Sequence, residues 1–323
     1  MNRRILIILL FFPAFIVREP GYSQSRESVV MFFNTENYFD PFDDSLKLDN
    51  EFTPEGSMHW TWKRFQQKAN HLYKVFMAAG EWDPPDLIGL AEVENYWVLH
   101  YLIKETPFGK FDYGIVHYES PDRRGIDVAL LYRKKHVRVL SSRVVPVFFP
   151  DHPEKKTRDI LSVLLVSRGD TLSCFVNHWP SRRGGYLESE PYRLQAARSL
   201  KQAVDSVRNV EPLRKILIMG DFNDEPSDSS LLLIKSKENL INFMEPMFQK
   251  KDGTLYFGRQ WWMFDQFLVS KNLAESVKEV QIFRPAFLLD RDKGEIPLRT
   301  YSGMRYFGGF SDHLPVLLKL SVK

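Results

Sequence analysis

The sequence predicts a layered α/β domain, on three observations. Short apolar runs of strand length recur along the chain, Ile216 to Met219 and Leu87 to Ala91 among them. Between such runs lie longer stretches with apolar residues at helical spacing, such as Trp62, Phe65, Ala69, Leu72, Val75, Phe76 and Ala79. With 323 residues, 44% hydrophobic and 14% aromatic, the chain can bury a large core. It has no internal repeat, low-complexity run or Pro/Ser linker, so one domain over residues 24–323 is expected.

Residues 1–23 read as a signal peptide outside that domain. Met1-Asn2-Arg3-Arg4 is basic, Ile5 to Val17 is almost wholly apolar, and Gly21-Tyr22-Ser23 places small residues where a signal peptidase reads them. The apolar run is short for a membrane span of roughly 20 residues. Export from a bacterium, to the periplasm or beyond, is the expectation, without a lipid anchor and without a transmembrane segment in the mature chain. Cys174, the one cysteine, lies inside Leu172 to Val176 and reads as a small core residue. Losing Arg3, Arg4, Arg18 and Glu19 lowers the formal charge from +3 to +1, which gives no strong vote for a polyanion. A monomer without a stable protein partner is expected.

In chain order, Ser28 to Phe33 reads as a strand that delivers Asn34-Thr35-Glu36-Asn37 to its end. An acidic loop follows, then the helix from Trp62, which would lie on the sheet along its apolar face. Asp86 to Ala91 is a second strand, ending at Glu92; Glu94 and Asn95 are either site residues or caps of the helix near Tyr96. Phe111 to Val116 and Arg123 to Arg133 are further strands. The second carries Asp127 in an apolar run, where it needs either an exposed mouth or Arg and backbone donors. Val137 to Phe149 and Arg158 to Ser167 read as strands, with Arg158 a phosphate fork or an ordinary surface cation. Leu172 to Asn177 ends at Asn177-His178-Trp179, and a helix spans Glu190 to Val207. Ile216 to Met219 leads through Gly220 into Asp221-Phe222-Asn223. On an extended segment Asp221 and Asn223 face one way and Phe222 turns to the interior. Trp261 to Val269 reads as a strand with one buried acid, Asp265, and Asp312-His313 precedes the last strand.

These acids, amides and imidazoles fall at strand ends from six segments. Loops at one edge of a layered α/β protein converge, so one polar site is predicted. Carboxylates and amides with two imidazoles and no thiolate suit Mg²⁺ or Mn²⁺.

Asn34-Thr35-Glu36, Ile88-Gly89-Leu90-Ala91-Glu92, Asn177-His178-Trp179, Gly220-Asp221-Phe222-Asn223, Phe264-Asp265 and Ser311-Asp312-His313 together resemble the ordered motifs of the endonuclease/exonuclease/phosphatase superfamily, from about Val29 to Leu320. The resemblance implies a DNase I-like, four-layer α/β/β/α sandwich of two mixed sheets. It implies Glu92, Asn34 and Glu36 as metal ligands, with aspartate often standing at the position of Glu36. It implies Asp312 as the acid that supports the metal or orients a histidine, and Asp221 as the activator of the attacking water. Asn223 and Asn177 with Arg158 would hold the phosphate, and His178 and His313 would contact it. Asp265 would fix the His178 side.

The expected activity is metal-dependent phosphodiester hydrolysis by in-line attack of water, with no covalent intermediate. The expected substrate is nucleic acid or a nucleotide-like phosphodiester, tracked by Arg158, Arg182, Arg183, Lys155 and Lys156, with Trp262 stacking on a base or lining a sugar pocket. Competing readings are a lipid phosphodiesterase using Trp261 to Phe264 and Tyr306 to Phe310, a phosphoinositide or sugar-phosphate phosphatase, and a secreted binding protein that lost catalysis.

Overall fold

The computed structural model describes residues 27–238 and 240–321, so the expected signal peptide lies outside the described residues. In chain order the strands are β1 (Glu27–Tyr38), β2 (Leu87–Val93), β3 (Tyr113–His117), β4 (Asp127–Arg133), β5 (Val137–Val145), β6 (Ile160–Ser167), β7 (Asp170–His178), β8 (Lys215–Asp221), β9 (Leu240–Asn242), β10 (Leu255–Phe257), β11 (Gln260–Trp262), β12 (Asp265–Ser270), β13 (Val277–Ile282), β14 (Leu289–Asp290), β15 (Ile296–Pro297), β16 (Tyr301–Ser302), β17 (Arg305–Tyr306) and β18 (Val316–Ser321). The main helices are α1 (Trp62–Ala79), α2 (Tyr96–Lys104), α3 (Tyr186–Val210) and α4 (Ser229–Glu238).

Two six-stranded mixed sheets form, in the orders β13-β18-β1-β2-β4-β3 and β5-β6-β7-β8-β12-β9. The neighbours β1/β2 and β7/β8 run parallel. Alternation along each strand sorts its side chains between two interiors. Val30, Phe32, Leu130, Val176, Met219 and Phe267 fill the space between the sheets. Met31 and Phe33, one residue off, face the other way with Phe65, Leu72 and Phe76 of α1 and Leu99 of α2. Phe175, Ile216 and Ile218 likewise meet Ala197 and Leu200 of α3 and Leu231 of α4. The result is the expected α/β/β/α sandwich. Gly89 marks how closely the sheets approach, because a Cβ there would sit 2.5 Å from Met219 Sδ.

Several expectations need correction. Trp62 starts α1 where expected but is 41% exposed, its ring against Trp97 and Phe65 and not on the sheet. The strand expected over Trp261 to Val269 is two strands, β11 and β12, parted at Met263-Phe264. β5 stops at Val145, ahead of Pro146, which has no N–H for a ladder. Asp127 is fully buried, satisfied by His117 Nε2 at 3.0 Å and the Ser120 N–H at 2.9 Å. Asn95 does cap α2, accepting from the Val98 N–H.

The first sheet is tied to the second at its rear by Asp86, just ahead of β2. Its carboxylate accepts Arg168 Nε at 2.6 Å and Ser28 Oγ at 2.8 Å, and lies 2.6 Å from His136 Nδ1. Against burial, which alone would raise it, these bonds and the Arg168 charge hold the Asp86 carboxyl below the usual range. A depressed folded value stabilises above the unfolded pKa of about 3.9 and is lost as pH falls through it. Asp86→Asn should therefore cost about 3 kcal/mol at pH 7, by stranding Arg168. Denaturant melts repeated downward from pH 7 should show the gap to wild type closing below about pH 4.

Candidate active site

Strand register builds the centre of the site. On parallel β7 and β8, His178 stands opposite Asp221, and on antiparallel β12, Asp265 also stands opposite Asp221. All three share the inter-sheet face with Val176, Met219 and Phe267, each two residues deeper. Asn34 occupies the same level of the opposing sheet, two residues beyond Phe32, and its Nδ2 donates to Asp221 Oδ2 at 3.0 Å. The site is thus the polar rim of the inter-sheet core. Gly220 permits it, since a Cβ there would lie 2.5 Å from the Asn177 carbonyl oxygen.

The acids of the first sheet are aimed by an irregularity in it. Regular pairing of β1 with β2 breaks after Asn34 and Ala91 and resumes only at Tyr38 and Val93. Glu36, Asn37 and Glu92 all take left-handed backbone there, at φ 51°, 57° and 59°. A bulge of this kind turns side chains away from the strand alternation. The Asn37 N–H then binds Glu92 Oε2 at 3.0 Å and leaves Oε1 facing His178 Nε2 at 3.8 Å.

Buried charges set contrasting protonation states around Asp221. Burial, with Asp265 adding and His313 opposing, pushes Asp221 up to about 7. His313 Nδ1 lies 2.7 Å from Asp265 Oδ2, and His313 Nε2 lies 3.9 Å from Asp221 Oδ2. Burial would lower His313, but the Asp265 and Asp221 carboxylates overcome it and hold the imidazole well above its usual range. His178, 3.8 Å from Asp221, is driven the other way, by burial and then by Arg158 and Arg124. One histidine is a buried cation and the other a buried neutral ring.

The expected residues fall into two groups. Asn34, Glu92, His178, Asp221, Asp265 and His313 come together, with Asn223 beside them. Asn223 is not on an extended strand, because β8 ends at Asp221 and Asn223 is left-handed at φ 49°. Its N–H binds Asp221 Oδ1 at 2.9 Å and its Nδ2 binds the Trp179 carbonyl at 3.1 Å. Phe222 is buried as expected. Asp265 sits on the His313 side, correcting its expected pairing with His178. Arg158 and Asn177 do not line the site. Arg158, buried, spends its guanidinium on Asp122 Oδ2 and on the carbonyls of His178 and Trp179. Asn177, fully buried, bonds Met219 O and accepts from Trp179 Nε1. Both position the His178-Trp179 turn from behind. Asp312 orients no histidine; its Oδ2 accepts Arg299 Nη2 at 2.7 Å.

Lys68 and Arg193, which sequence reasoning passed over, and Arg182, which it expected along the substrate, complete the arrangement. Lys68 is buried and donates to Thr300 Oγ1 and the Phe310 carbonyl. It is pushed down to about 8 by burial, against Glu36, Asp312 and Glu92. Arg182 donates to the Asn223 carbonyl at 2.8 Å and to Asp228 at 2.6 Å. Arg193, buried on α3, pairs with Asp224 at 2.6 Å. The signal for Lys68 and Arg193 was a cation within the apolar stripe of a helix, which burial tolerates only when paired.

The donor set fits a hard divalent ion. Glu36 accepts the Thr300 and Tyr301 N–H groups and is pushed up to about 7, by burial and then by the Asp312 charge. Glu92 Oε1 and Asp312 Oδ1 accept no hydrogen bond from the described residues, and Asn34 Oδ1 takes only the Glu36 N–H. Oxygen donors of this kind suit Mg²⁺ or Mn²⁺. Asp221, Asp265 and His313 offer ligand atoms within 4.8 Å of one another, which Glu36, Glu92 and Asp312 do not, but His313 and Asp265 there satisfy each other.

A model of the endonuclease/exonuclease/phosphatase family matches residues 29–322. The chain belongs to that family. Among solved structures, this family member is similar to the human Nocturnin catalytic domain with bound sulfate, at 17% identity, 92% coverage of this chain and 95% of that one, with TM-score 0.59. It is also similar to the Bacteroides thetaiotaomicron mannosyl-6-phosphatase, at 15% identity, 91% and 99% coverage and TM-score 0.60. Similarity to D. rerio TDP2 complexed with single-strand DNA product is at 13% identity, 91% and 98% coverage and TM-score 0.57. Among curated proteins none matches the chain significantly. These likenesses establish the fold, and the family model establishes the family.

In this family member the His313 cation depends on Asp265. Asp265→Asn should move the His313 titration to lower pH and, because the His313 charge helps hold His178 down, let the His178 titration rise. Imidazole C–H shifts followed by NMR across pH decide this, and an unmoved His313 would contradict the pairing.

Proposed function

We propose that this protein is an exported, divalent-metal-dependent phosphoesterase that hydrolyses phosphodiester bonds by in-line attack of water. The observation that carries the reading is Asp221, buried between a neutral His178 and a cationic His313 and held by Asn34 from the opposing sheet. Glu92, Asn34, Glu36 and Asp312 would hold the metal, which when bound offsets phosphate charge as a Lewis acid. Asp221 accepts the proton of the attacking water, its raised pKa matching a base that works near neutral pH. Neutral His178 and the remaining N–H of Asn223 donate to non-bridging phosphate oxygens. His313, kept protonated by Asp265, gives its proton to the leaving oxygen, so one proton is taken up and one released. No side chain need form a bond to phosphorus.

Nucleic acid or a nucleotide-like diester remains the first substrate reading, supported by exposed Arg183, Lys155 and Lys156. One observation favours a smaller phosphoester as the second reading. Arg158 and Arg182, expected to track a backbone, are consumed by Asp122, Asp224 and Asp228. Arg182 also lies over the rings of Trp262 and Phe264, at 4.8 and 4.7 Å, where a base was expected to stack. The intact set of acids and histidines argues against an inactive binding protein.

Turnover of bis(p-nitrophenyl) phosphate under Mg²⁺ should be abolished by EDTA. Asp221→Asn should lower it by about 10² to 10⁴ while leaving metal affinity by calorimetry close to wild type. Glu92→Gln should weaken both turnover and metal binding. A folded, metal-loaded protein with no turnover on DNA, RNA, sphingomyelin, phosphoinositide or phosphomonoester would overturn the hydrolase reading.

A further inference from the structure

The loop between β1 and α1 encloses a cleft of about 720 Å³, lined by Pro41, Phe42, Asp43, Asn50, Glu55 and Trp62 among others. Phe42 is 60% exposed, and its ring meets those of Trp62 and Trp97, with centroids 6.5 and 5.9 Å away. Scattered exposed apolar residues need no explanation, but three large rings in mutual contact form a patch. The wall is preformed. Trp60 Nε1 donates to the Phe39 carbonyl at 2.9 Å, Phe52 stacks on Phe39 at 4.5 Å, and Asn95 Nδ2 holds Asp40 at 2.9 Å. The Leu48 N–H ties the loop to the Arg123 carbonyl at 2.7 Å.

The polar lining narrows the ligand. Asn50 Nδ2 donates to Asp43 Oδ1 at 2.7 Å, and Asp43 Oδ2 and Asn50 Oδ1 keep free lone pairs among the described residues. Glu55 adds a further acceptor, and no Lys or Arg lines the cleft. Carboxylates alone repel a polyanionic backbone. The rings of Phe42 and Trp62, tilted by 40°, make one wall and not a cage around a cation. A sugar ring answers both features, since its C–H face meets the negative face of an aromatic ring and its hydroxyls donate to carboxylate and amide oxygens.

We infer that this cleft binds a sugar or polyol ring, as the non-phosphate part of the substrate. Asn37, whose N–H binds Glu92, is five residues from Phe42, so the Cα atoms of the two lie no more than about 17 Å apart. The substrate role rests on the hydrolase reading; the binding itself does not. On the second, smaller-phosphoester reading, the substrate class becomes a glycosyl or polyol phosphoester.

Saturation-transfer NMR on the full protein, with methyl hexopyranosides and with tetramethylammonium as the cationic control, tests it. Phe42→Ala and Asp43→Ala alter only exposed side chains, and both variants should keep the wild-type fold by circular dichroism. The wild type should show saturable sugar binding, weakened at least about tenfold in each variant, and none to tetramethylammonium. Absent sugar binding, equal binding in the variants, or preference for tetramethylammonium would overturn the inference. Sugar binding in a protein that hydrolyses no phosphoester would support the cleft and overturn only the hydrolase reading.

Discussion

The register that places His178, Asp221 and Asp265 side by side is the constraint on which the site depends. It is fixed by the core beneath it: Val176, Met219 and Phe267 occupy the same rows two residues deeper, and a slip of one residue would send each to the helix-covered face. The polar triplet is therefore positioned by hydrophobic burial and needs no strain of its own. Asn34 extends the same logic to the other sheet, because Phe32 fixes its parity and the sheets are held at the distance that Gly89 and Met219 set. The one hydrogen bond from Asn34 to Asp221 then joins two independently registered sheets at the place where the chemistry is proposed.

Three carboxylates and two imidazoles in a buried rim would repel or neutralise one another without compensation. The structure separates them by sign. His313 is kept positive by the acids on either side, and His178 is kept neutral by burial and by Arg158 and Arg124. On the other side, buried Lys68 feels the opposing charges of Glu36, Asp312 and Glu92. Its ammonium is fixed by Thr300 and Phe310, so part of the negative charge is offset by the fold itself. Such preorganisation lets charged groups stay in place before a substrate or ion arrives.

Much of this was legible in the sequence. The order of strands and the acid at each strand end follow from apolar run length and alternation, and the convergence of Glu92, Asp221 and His313 follows from the layered class. What alternation could not give is the direction of side chains where it breaks. Glu36, Asn37, Glu92 and Asn223 are all left-handed, and their aim depends on bulge geometry that residue type alone does not encode. Nor could it tell a surface arginine from a buried one. Arg158 follows a turn and reads as exposed, yet it is buried behind His178 and donates to that residue's carbonyl. Asp265 was placed with the wrong histidine for a related reason: its partner comes from a distant segment, and sequence order does not reveal which imidazole crosses to it.

The fate of the arginines bears on what can enter. A groove for a polynucleotide needs cations whose charge is free to replace counterions. Here Arg158 is buried against Asp122, and Arg182 is saturated by Asp224, Asp228 and the Asn223 carbonyl while rings cover its faces. These cations stabilise the turn that carries Asn223, so their charge is spent inside the protein. Across the mouth, the loop after β1 offers Asp43 and Glu55 beside aromatic rings. On that flank an approaching phosphate would meet acidic and aromatic surface, while the exposed cations Arg183, Lys155 and Lys156 lie on other loops and His313 holds positive charge at the centre. That gradient favours a substrate with one compact phosphate and an uncharged body over a long polyanion, which would have to lay further phosphates against carboxylates.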